Sequence, residues 1–321
     1  MTRPLLSLAA LLALAAPALA QDEEEAALSP GEIVAQAPAA EWIGIAPEDL
    51  LVMTLAPAPD GSERKVVIQL MPAPFSQGWV ENIRTLARAH WYDGITVNRV
   101  QDNYVVQWGD PNYDNPEAEG QAKALPEGLK VMSEAGYTAP VTKIRIRERP
   151  PEGHVGTRGD AYGDWTDFHA GWPIASNGPR DWPVHCYGMV GVGRNMSPDT
   201  GTGAELYTVI GQAPRHLDRN IALAGRIVEG MEYLSSLPRG HGDLGFYTAE
   251  EADKRTAIVS VRVASDLPEG ERPAFEYLST DGETFARYAD ARANRRDPFF
   301  ITPAGGADIC NIPVPVRRVA D

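Results

Sequence analysis

The sequence lacks the short motifs that mark most metal, nucleotide and serine-hydrolase sites. Its 6 histidines are scattered, with no HExxH and no His-Cys spacing, so a zinc site is disfavoured. No GxSxG is present, which argues against a nucleophile elbow. There is no P-loop, and glycine-rich residues 191–203 lack the strand–GxGxxG–helix context of a dinucleotide site. We therefore expect neither a metal nor a cofactor.

Positive charge and cysteine are also scarce. The chain has 29 Lys and Arg against 44 Asp and Glu, a net charge of −15. An acidic surface repels phosphate, so we expect no nucleic-acid partner. The two cysteines, Cys186 and Cys310, form no CxxC, which disfavours a redox-active pair. In an oxidising compartment they can form a disulfide, and two buried free thiols are the alternative, because spacing does not fix their distance.

A long apolar run occurs only at the amino terminus. Residues 1–20, MTRPLLSLAALLALAAPALA, combine one basic residue, a short apolar segment and small residues before an acidic stretch. This pattern predicts a secretory signal peptide cleaved after Ala20, so that the mature chain begins at Gln21. The alternative is a membrane anchor, but the run is too short to span a bilayer. We expect a periplasmic or secreted protein without a membrane anchor after cleavage.

The rest of the chain divides by composition and periodicity. Residues 21–44 begin acidic and Ala/Pro-rich and predict a flexible arm. Residues 111–185 are dense in Pro, Gly and Asp and predict a long insertion containing one strand at 141–147. Residues 265–321 form a C-terminal extension. Elsewhere the pattern predicts a hairpin over 97–110 and single strands at 50–55, 65–71, 188–193, 205–210, 221–227 and 256–264. It predicts helices at 77–90, 228–237 and 281–295. Many short strands and few helices favour a mainly β, closed or nearly closed architecture.

Two polar residues interrupt the predicted hairpin. In 97–110, VNRVQDNYVVQWGD, Arg99 and Gln107 stand in segments otherwise built from β-branched and aromatic residues. An arginine in a strand is usually solvated, with its stem covering apolar surface, and a glutamine can simply end a strand. Arg99 and Gln107 are nevertheless the only polar side chains that stand out at positions that the pattern predicts to be apolar.

The order of these elements resembles the cyclophilin family of peptidyl-prolyl cis–trans isomerases. Val80 to Ile83 are similar to the family's Val-Glu-Asn-Phe run, and Val97 to Val100 to the segment that carries its catalytic arginine. The other similar blocks are 104–110 (Phe-Met-x-Gln-Gly-Gly-Asp in the family), 203–208 (Gly-Ser-Gln-Phe-Phe-Ile) and 217–225 (Leu-Asp-Gly-Lys-His before Val-Val-Phe-Gly). The blocks together span about 49–111, 186–237 and 256–264.

The resemblance implies an eight-stranded antiparallel barrel capped by two helices, formed by residues 45–264 with the extension 265–321 packed on it. It implies Arg99 and Gln107 as catalytic residues. It implies a substrate-binding set of Tyr104, Val105, Gly193, Arg194, Tyr207, His216 and Leu217. The chain departs from the family at Gly191–Arg194 (Ser-Met-Ala-Asn there), at His216 (often Trp) and at Ile221 (His), and we interpret Ile221 as core. Seen alone, Tyr104, Val105, Tyr207 and Leu217 fit an ordinary core better than a binding site.

Two functions follow from this resemblance. The first is a peptidyl-prolyl isomerase that assists folding of exported proteins, with proline-containing segments of unfolded exported chains as its partners. The second is a proline-peptide-binding module or chaperone with little turnover on the same scaffold. A structural role through 265–321 has no motif behind it.

Overall fold

The computed structural model describes residues 27–113, 118, 120–141 and 160–319. Within these ranges the chain forms four α-helices and fifteen strands. The helices are α1 (Pro30–Ala35), α2 (Gln77–Arg88), α3 (Met231–Ser235) and α4 (Glu283–Ala293). The strands are β1 (Trp42–Gly44), β2 (Leu50–Leu55), β3 (Arg64–Leu70), β4 (Thr96–Val100), β5 (Val105–Gly109), β6 (Ala139–Pro140), β7 (Trp165–His169), β8 (Trp172–Ser176), β9 (Arg180–Pro183), β10 (Met189–Val192), β11 (Leu206–Val209), β12 (Leu223–Glu229), β13 (Ile258–Val263), β14 (Phe275–Leu278) and β15 (Val316–Arg318).

Eight strands form a nearly closed antiparallel barrel. Their order is β13-β2-β3-β12-β10-β11-β5-β4. The two outer strands approach each other, since the Ile258 amide donates to the Ile95 carbonyl at 2.8 Å and the Val97 amide donates to the Thr256 carbonyl at 2.9 Å. Closure removes the unpaired edges that a flat sheet would expose. The predicted barrel class is therefore confirmed.

Helix α2 packs against strands β12 and β13 of the barrel. Trp79, Val80, Ile83 and Leu86 recur at helical spacing and are buried, so one face of the helix packs against the barrel. The same face carries Asn82, whose side-chain amide donates to backbone carbonyls of two loops. None of the helices in the described ranges is long and apolar enough to cross a membrane.

The second predicted helix, 228–237, is shorter than its pattern suggests. Strand β12 continues to Glu229, which pairs with Val67 of β3. Gly230 then adopts a φ of 82°, a conformation that favours glycine, and α3 begins at Met231. Pairing with the neighbouring strand therefore overrides the local helical periodicity.

The flexible arm predicted for 21–44 is wrong for residues 27–44. Ser29 and Glu32 form a reciprocal capping box, with Pro30 at the first helical position of α1. Ile33 on this helix is buried, and α1 packs against α4. Trp42 begins a strand that pairs with β14. Burial against the C-terminal extension outweighs the weakly apolar composition that indicated disorder.

The insertion contains more regular structure than its composition predicts. Strands β6, β9, β8 and β7 form a second antiparallel sheet in that order. Strand β8, with the sequence WPIAS, is buried along its whole length and so lacks the alternation that marks a half-exposed strand. The strand predicted at 141–147 lies outside the described residues except for Val141.

The C-terminal extension is joined to the barrel by a covalent bond. Cys310 forms a disulfide with Cys186, and their Cα atoms are 5.1 Å apart. Strands β14 and β15 continue the small sheet that β1 begins. The alternative of two free thiols is therefore excluded, and the bond holds the segment after α4 against the barrel.

We expect the disulfide to stabilise the fold measurably. It joins residues separated by 124 positions, and closing a loop of that size removes roughly 4–5 kcal/mol of unfolded-state entropy in the chain-entropy account. The Cys186→Ser/Cys310→Ser variant should have a free energy of unfolding lower by about 2–5 kcal/mol in a denaturant titration. Reductant should lower the stability of the wild type only. Equal stability of the two proteins would contradict the expectation.

Candidate active site

Four barrel strands place the central residues of the site in one row. Arg99 on β4 lies opposite Gln107 on β5, and Gln107 lies opposite Tyr207 on β11. Tyr207 in turn lies opposite Gly191 on β10. Residues that are directly opposite in a sheet share one face, so this pairing brings the three side chains together. A Cβ atom at Gly191 would be 2.2 Å from Cζ of Tyr207, so glycine is required there for the ring to lie over the strand.

The row forms part of a groove on the barrel surface. The groove has a volume of about 320 Å³, within the usual size of a small-ligand site. Eight of the nine predicted site residues line this groove: Arg99, Tyr104, Val105, Gln107, Gly193, Arg194, Tyr207 and Leu217. The ninth, His216, is exposed beside it, with its ring stacked on that of Tyr104. Within the described ranges, no three His, Cys, Asp or Glu side chains are grouped as a metal site.

Neutral oxygen atoms hold the guanidinium of Arg99. Its Nε donates to the backbone carbonyl of Leu244 at 2.7 Å, and its Nη1 donates to Oε1 of Gln107 at 3.2 Å. Its Nη2 donates to Oε1 of Gln101. No carboxylate in the described part of the chain is paired with it. The three bonds occupy three of the five N–H donors of an arginine.

Aromatic rings flank the same guanidinium. Its Cζ lies 5.6 Å from the ring centroid of Tyr104 and 5.6 Å from that of Phe246. Burial lowers the pKa of Arg99, partly offset by Tyr104 and Tyr207. An arginine starts from so high a pKa that this group stays a cation at neutral pH. The groove therefore presents a positive charge between apolar surfaces.

Sequence reasoning missed three residues of the groove. Leu244 and Phe246 come from a segment in which no element was predicted, and Phe246 forms an isolated β-bridge with Arg99. The run GHGDLGF at 240–246 signals a turn, and a Cβ at Gly245 would lie 2.8 Å from the backbone of Gln101. Nothing in that pattern shows which strand the turn contacts. Ile221 was interpreted as core, but it is half-buried and lines the groove.

Beyond Gly193 the groove continues into a smaller cavity of about 30 Å³. A Cβ at Gly193 would lie 2.8 Å from Cβ of Glu205, so the glycine keeps this passage open. Arg194 borders both spaces, and its Nε donates to the backbone carbonyl of Asn220 at 3.0 Å. This cavity is of the size of one or two water molecules, and it adjoins the groove at Gln107, Gly193 and Arg194.

Behind the groove, a buried hydrogen-bonded chain holds the ring of Tyr207. The Tyr207 hydroxyl lies 2.9 Å from Nε2 of His185, and Nδ1 of His185 lies 2.9 Å from Oδ1 of Asp218. The other carboxylate oxygen of Asp218 accepts from Nε of Arg215 at 2.7 Å. Arg215 also donates to Asp160, in the insertion, at 2.6 Å. No sequence pattern indicates this set of hydrogen bonds, because Asp160, His185 and Tyr207 lie far apart along the polypeptide and only Arg215 and Asp218 are near neighbours.

Burial controls the ionisation of His185 and Tyr207. Only 1% of His185 is exposed, and burial lowers its pKa despite the opposing effect of Asp218. His185 is therefore neutral at pH 7. With Nδ1 donating to the carboxylate, Nε2 accepts, and the Tyr207 hydroxyl donates to it. Burial also raises the pKa of Tyr207 well above its ordinary value, so the hydroxyl keeps its proton.

The fold and the site define a class of protein: a nearly closed antiparallel barrel with a surface groove in which one arginine faces apolar side chains. Residues 62–263 match the family described as cyclophilin type peptidyl-prolyl cis-trans isomerase. The chain belongs to this family, and its membership supports peptidyl-prolyl isomerase activity.

Two solved structures illustrate the similarity. The cyclophilin AquaCyp293 from Hirschia baltica is 21% identical, with a TM-score of 0.57, and the match covers 87% of this chain and 95% of that one. A Cryptosporidium parvum cyclophilin type peptidyl-prolyl cis-trans isomerase, solved in the presence of the dipeptide Ala-Pro, is 11% identical with a TM-score of 0.36, over 69% and 98% of the two chains. The first match supports the barrel fold. No curated protein matches the chain.

The buried histidine predicts a pH effect on stability. An unfolded histidine has a pKa of about 6.5, and that of folded His185 is lower. As the pH falls below about 6.5, the unfolded state binds a proton that the folded state does not, and stability decreases by up to about 1.4 kcal/mol per pH unit. Denaturant titrations from pH 7 to pH 5 should show this loss in the wild type and a smaller loss in His185→Gln. His90→Gln, at an exposed histidine in another part of the chain, is the control. Equal pH dependence of stability in the wild type and in His185→Gln would exclude His185 as the cause of the loss.

Proposed function

We propose that the protein is an exported peptidyl-prolyl isomerase in which Arg99 donates a hydrogen bond to the prolyl nitrogen at the twisted transition state. Family membership supports the reaction. The observation that carries the role of Arg99 is that its guanidinium borders an open groove and is held only by neutral acceptors. Hydrogen bonds to these acceptors hold the guanidinium in place, and no carboxylate among the described residues neutralises its charge.

The reaction needs a donor that distinguishes the transition state from the planar amide. Resonance in the X-Pro bond sets a barrier of about 18–20 kcal/mol. At the twisted transition state that resonance is lost, and the prolyl nitrogen has a lone pair that can accept a hydrogen bond. A donor directed at this nitrogen stabilises the transition state and neither ground state, which is the condition for catalysis. No proton is transferred, so no acid–base pair is required.

Arg99 meets the geometric demands of this role. Its three hydrogen bonds leave two N–H groups without an acceptor among the described residues, and those bonds fix the plane of the guanidinium. Fixing the plane beforehand reduces the reorganisation needed during the reaction. A lysine in the same place lacks the planar fork and cannot be held by three acceptors in the same orientation.

Gln107 has a double function in this proposal. Its Oε1 accepts from Arg99, which leaves the amide nitrogen as a donor. That nitrogen lies 3.6 Å from the position that a Cβ at Gly193 would occupy, so it faces the passage beside the groove. A substrate backbone in this passage, bordered by Gly193 and Arg194, can accept from it. Gln107 would thus hold both the catalytic cation and the peptide.

An apolar cluster separate from the main core provides the surface for the proline ring. Val105, Tyr207 and Val209 are its buried members, and Tyr104, Leu217 and Ile221 pack against them. All of its members except Val209 line the groove, and Tyr104 flanks the guanidinium of Arg99. The His185 chain holds the Tyr207 ring in this cluster. His216, which is exposed, lies at the rim.

Substitution of Arg99 should reduce catalysis more than binding. We expect Arg99→Ala to lower kcat/KM for an Ala-Pro peptide by about 100-fold to 1000-fold, the usual cost of losing a transition-state donor. Arg99→Lys keeps the charge but should also lose most activity, because the geometry changes. An NMR exchange or protease-coupled assay measures the rate, and calorimetry measures peptide affinity. Arg287→Ala, at an exposed arginine of α4, is the control. Unchanged turnover in Arg99→Lys would contradict the assignment.

The competing function is a peptide-binding module with little turnover. The departures at Gly191, Gly193 and Arg194 and the large insertion favour this alternative. The same assay separates the two functions, because a module would bind the Ala-Pro peptide without accelerating its isomerisation in the wild type.

Export is a separate part of the proposal and has its own test. The signal-like residues 1–20 support it, and so does the disulfide, which persists in oxidising compartments. The expected clients are proline-containing segments of unfolded exported proteins. Expressed with its full sequence, the protein should be recovered from the periplasm or medium with Gln21 as its amino terminus, measured by mass spectrometry. Recovery in the cytoplasm with residues 1–20 retained would contradict export.

A further inference from the structure

The carbonyl that holds Nε of Arg99 belongs to a residue with little support of its own. Leu244 is 66% exposed, so its side chain contributes little packing to the 240–246 turn. Its φ is 55°, in the left-handed region that is unfavourable for residues other than glycine. Contacts elsewhere must therefore keep the turn in the form that directs this carbonyl at the guanidinium.

Backbone hydrogen bonds join both ends of the turn to strand β4. The Gly240 amide donates to the Val100 carbonyl at 3.0 Å, and the Tyr247 amide donates to the Asn98 carbonyl at 2.9 Å. These two bonds fix where the turn begins and ends, but they do not involve the residues between, among them Leu244.

A carboxylate beyond the turn holds its first part. Glu251, on the 3₁₀ segment Ala249–Lys254, is only 8% exposed. Its Oε2 accepts from the backbone amide of His241 at 3.0 Å, and its Oε1 is hydrogen-bonded to Nδ1 of the same histidine. Both the backbone and the side chain of His241 are therefore bound to one carboxylate.

Two further donors hold this carboxylate. The Thr248 amide donates to Oε2 of Glu251 at 3.2 Å, and Nζ of Lys254 donates to Oε1 at 2.6 Å. Hydrogen bonds from Lys254 and His241 lower the pKa of Glu251 well below its ordinary value, so it is a carboxylate at neutral pH. The bond to Thr248 completes the capping box of the segment, whereas the two bonds to His241 have no part in it. They join the segment to the turn.

We propose that Glu251 is a positioning residue that fixes the 240–246 turn through His241 and so holds the Leu244 carbonyl where it orients the guanidinium of Arg99. Neither Glu251 nor His241 lines the groove. This inference rests on the proposed isomerase function and extends it to residues outside the groove. Loss of the bonds between Glu251 and His241 should lower the rate at which the bound peptide isomerises and leave its affinity nearly unchanged.

Kinetics of Glu251→Gln in the full-length protein test the proposal. Glutamine has nearly the size of glutamate, but its amide nitrogen is a donor, so it cannot accept all four hydrogen bonds. We expect kcat for an Ala-Pro peptide to fall about 10-fold with KM within about 2-fold of the wild type, since displacing a reacting group by about 1 Å can lower a rate about 100-fold. Asp253→Asn removes the same charge at an exposed position of the same segment and should have no effect. Unchanged kcat in Glu251→Gln, a rise in KM alone, or an equal loss in Asp253→Asn would overturn the proposal.

The NMR signal of the Arg99 Nε–H group reports its orientation independently of turnover. Its absence in Arg99→Lys assigns the signal. Because this proton is bonded to the Leu244 carbonyl, its exchange with water should be slow in the wild type and in Asp253→Asn, and at least about 10-fold faster in Glu251→Gln. Exchange as slow in Glu251→Gln as in the wild type would contradict the positioning role. If the wild type does not accelerate isomerisation, the proposed function fails, while this signal still decides whether Glu251 holds Arg99.

Variants of His241 give a second test that does not depend on the folding of Glu251→Gln. The His241 side chain is 73% exposed, so replacing it removes little packing. His241→Ala keeps the backbone bond to Glu251 but loses the side-chain bond, and kcat should fall about 3-fold to 10-fold. His241→Asn, whose amide nitrogen can donate in place of Nδ1, should recover most of the wild-type rate. A wild-type rate in His241→Ala, or no recovery in His241→Asn, would overturn the link through His241.

Discussion

The site depends on a positive charge that is positioned but not neutralised. A guanidinium beside an apolar surface would normally turn to solvent or pair with a carboxylate. In this protein the carbonyl of Leu244 and the side-chain oxygens of Gln107 and Gln101 hold Arg99 instead. Gln101 and Gln107 belong to the same hairpin as Arg99, whereas Leu244 belongs to the 240–246 turn, so the hairpin and the turn must both form before the cation is fixed.

The insertion and the C-terminal extension support the barrel at points away from the groove. The insertion supplies Asp160, which anchors Arg215 and so ends the chain of hydrogen bonds that starts at the Tyr207 hydroxyl. The extension is held by the disulfide. The insertion therefore supports the packing of the groove wall through Asp160, and its Tyr113 lines the small cavity beside the groove.

The mainly β, closed or nearly closed class could be predicted from the strand pattern, whereas the eight-stranded barrel and the site residues were predicted from the resemblance to the cyclophilin family. Arg99 and Gln107 were recognised as polar residues in apolar segments, and β4 and β5 form a local hairpin. The contact of Leu244 with Arg99 spans 145 positions and has no periodic signal. The same reason explains why His185 and Asp218 were missed.

Helix α1 was missed for a different reason: its composition is weakly apolar, and its stability comes from a capping box and from burial against α4.

The most direct test of the central claim replaces Arg99 by citrulline through semisynthesis. Citrulline has nearly the shape of arginine and retains N–H donors, but it carries no charge. The account predicts that the affinity for an Ala-Pro peptide changes little, whereas the rate of cis–trans exchange of the bound peptide, measured by NMR, falls at least about 100-fold. An exchange rate equal to that of the wild type would show that the positive charge of Arg99 does not stabilise the transition state.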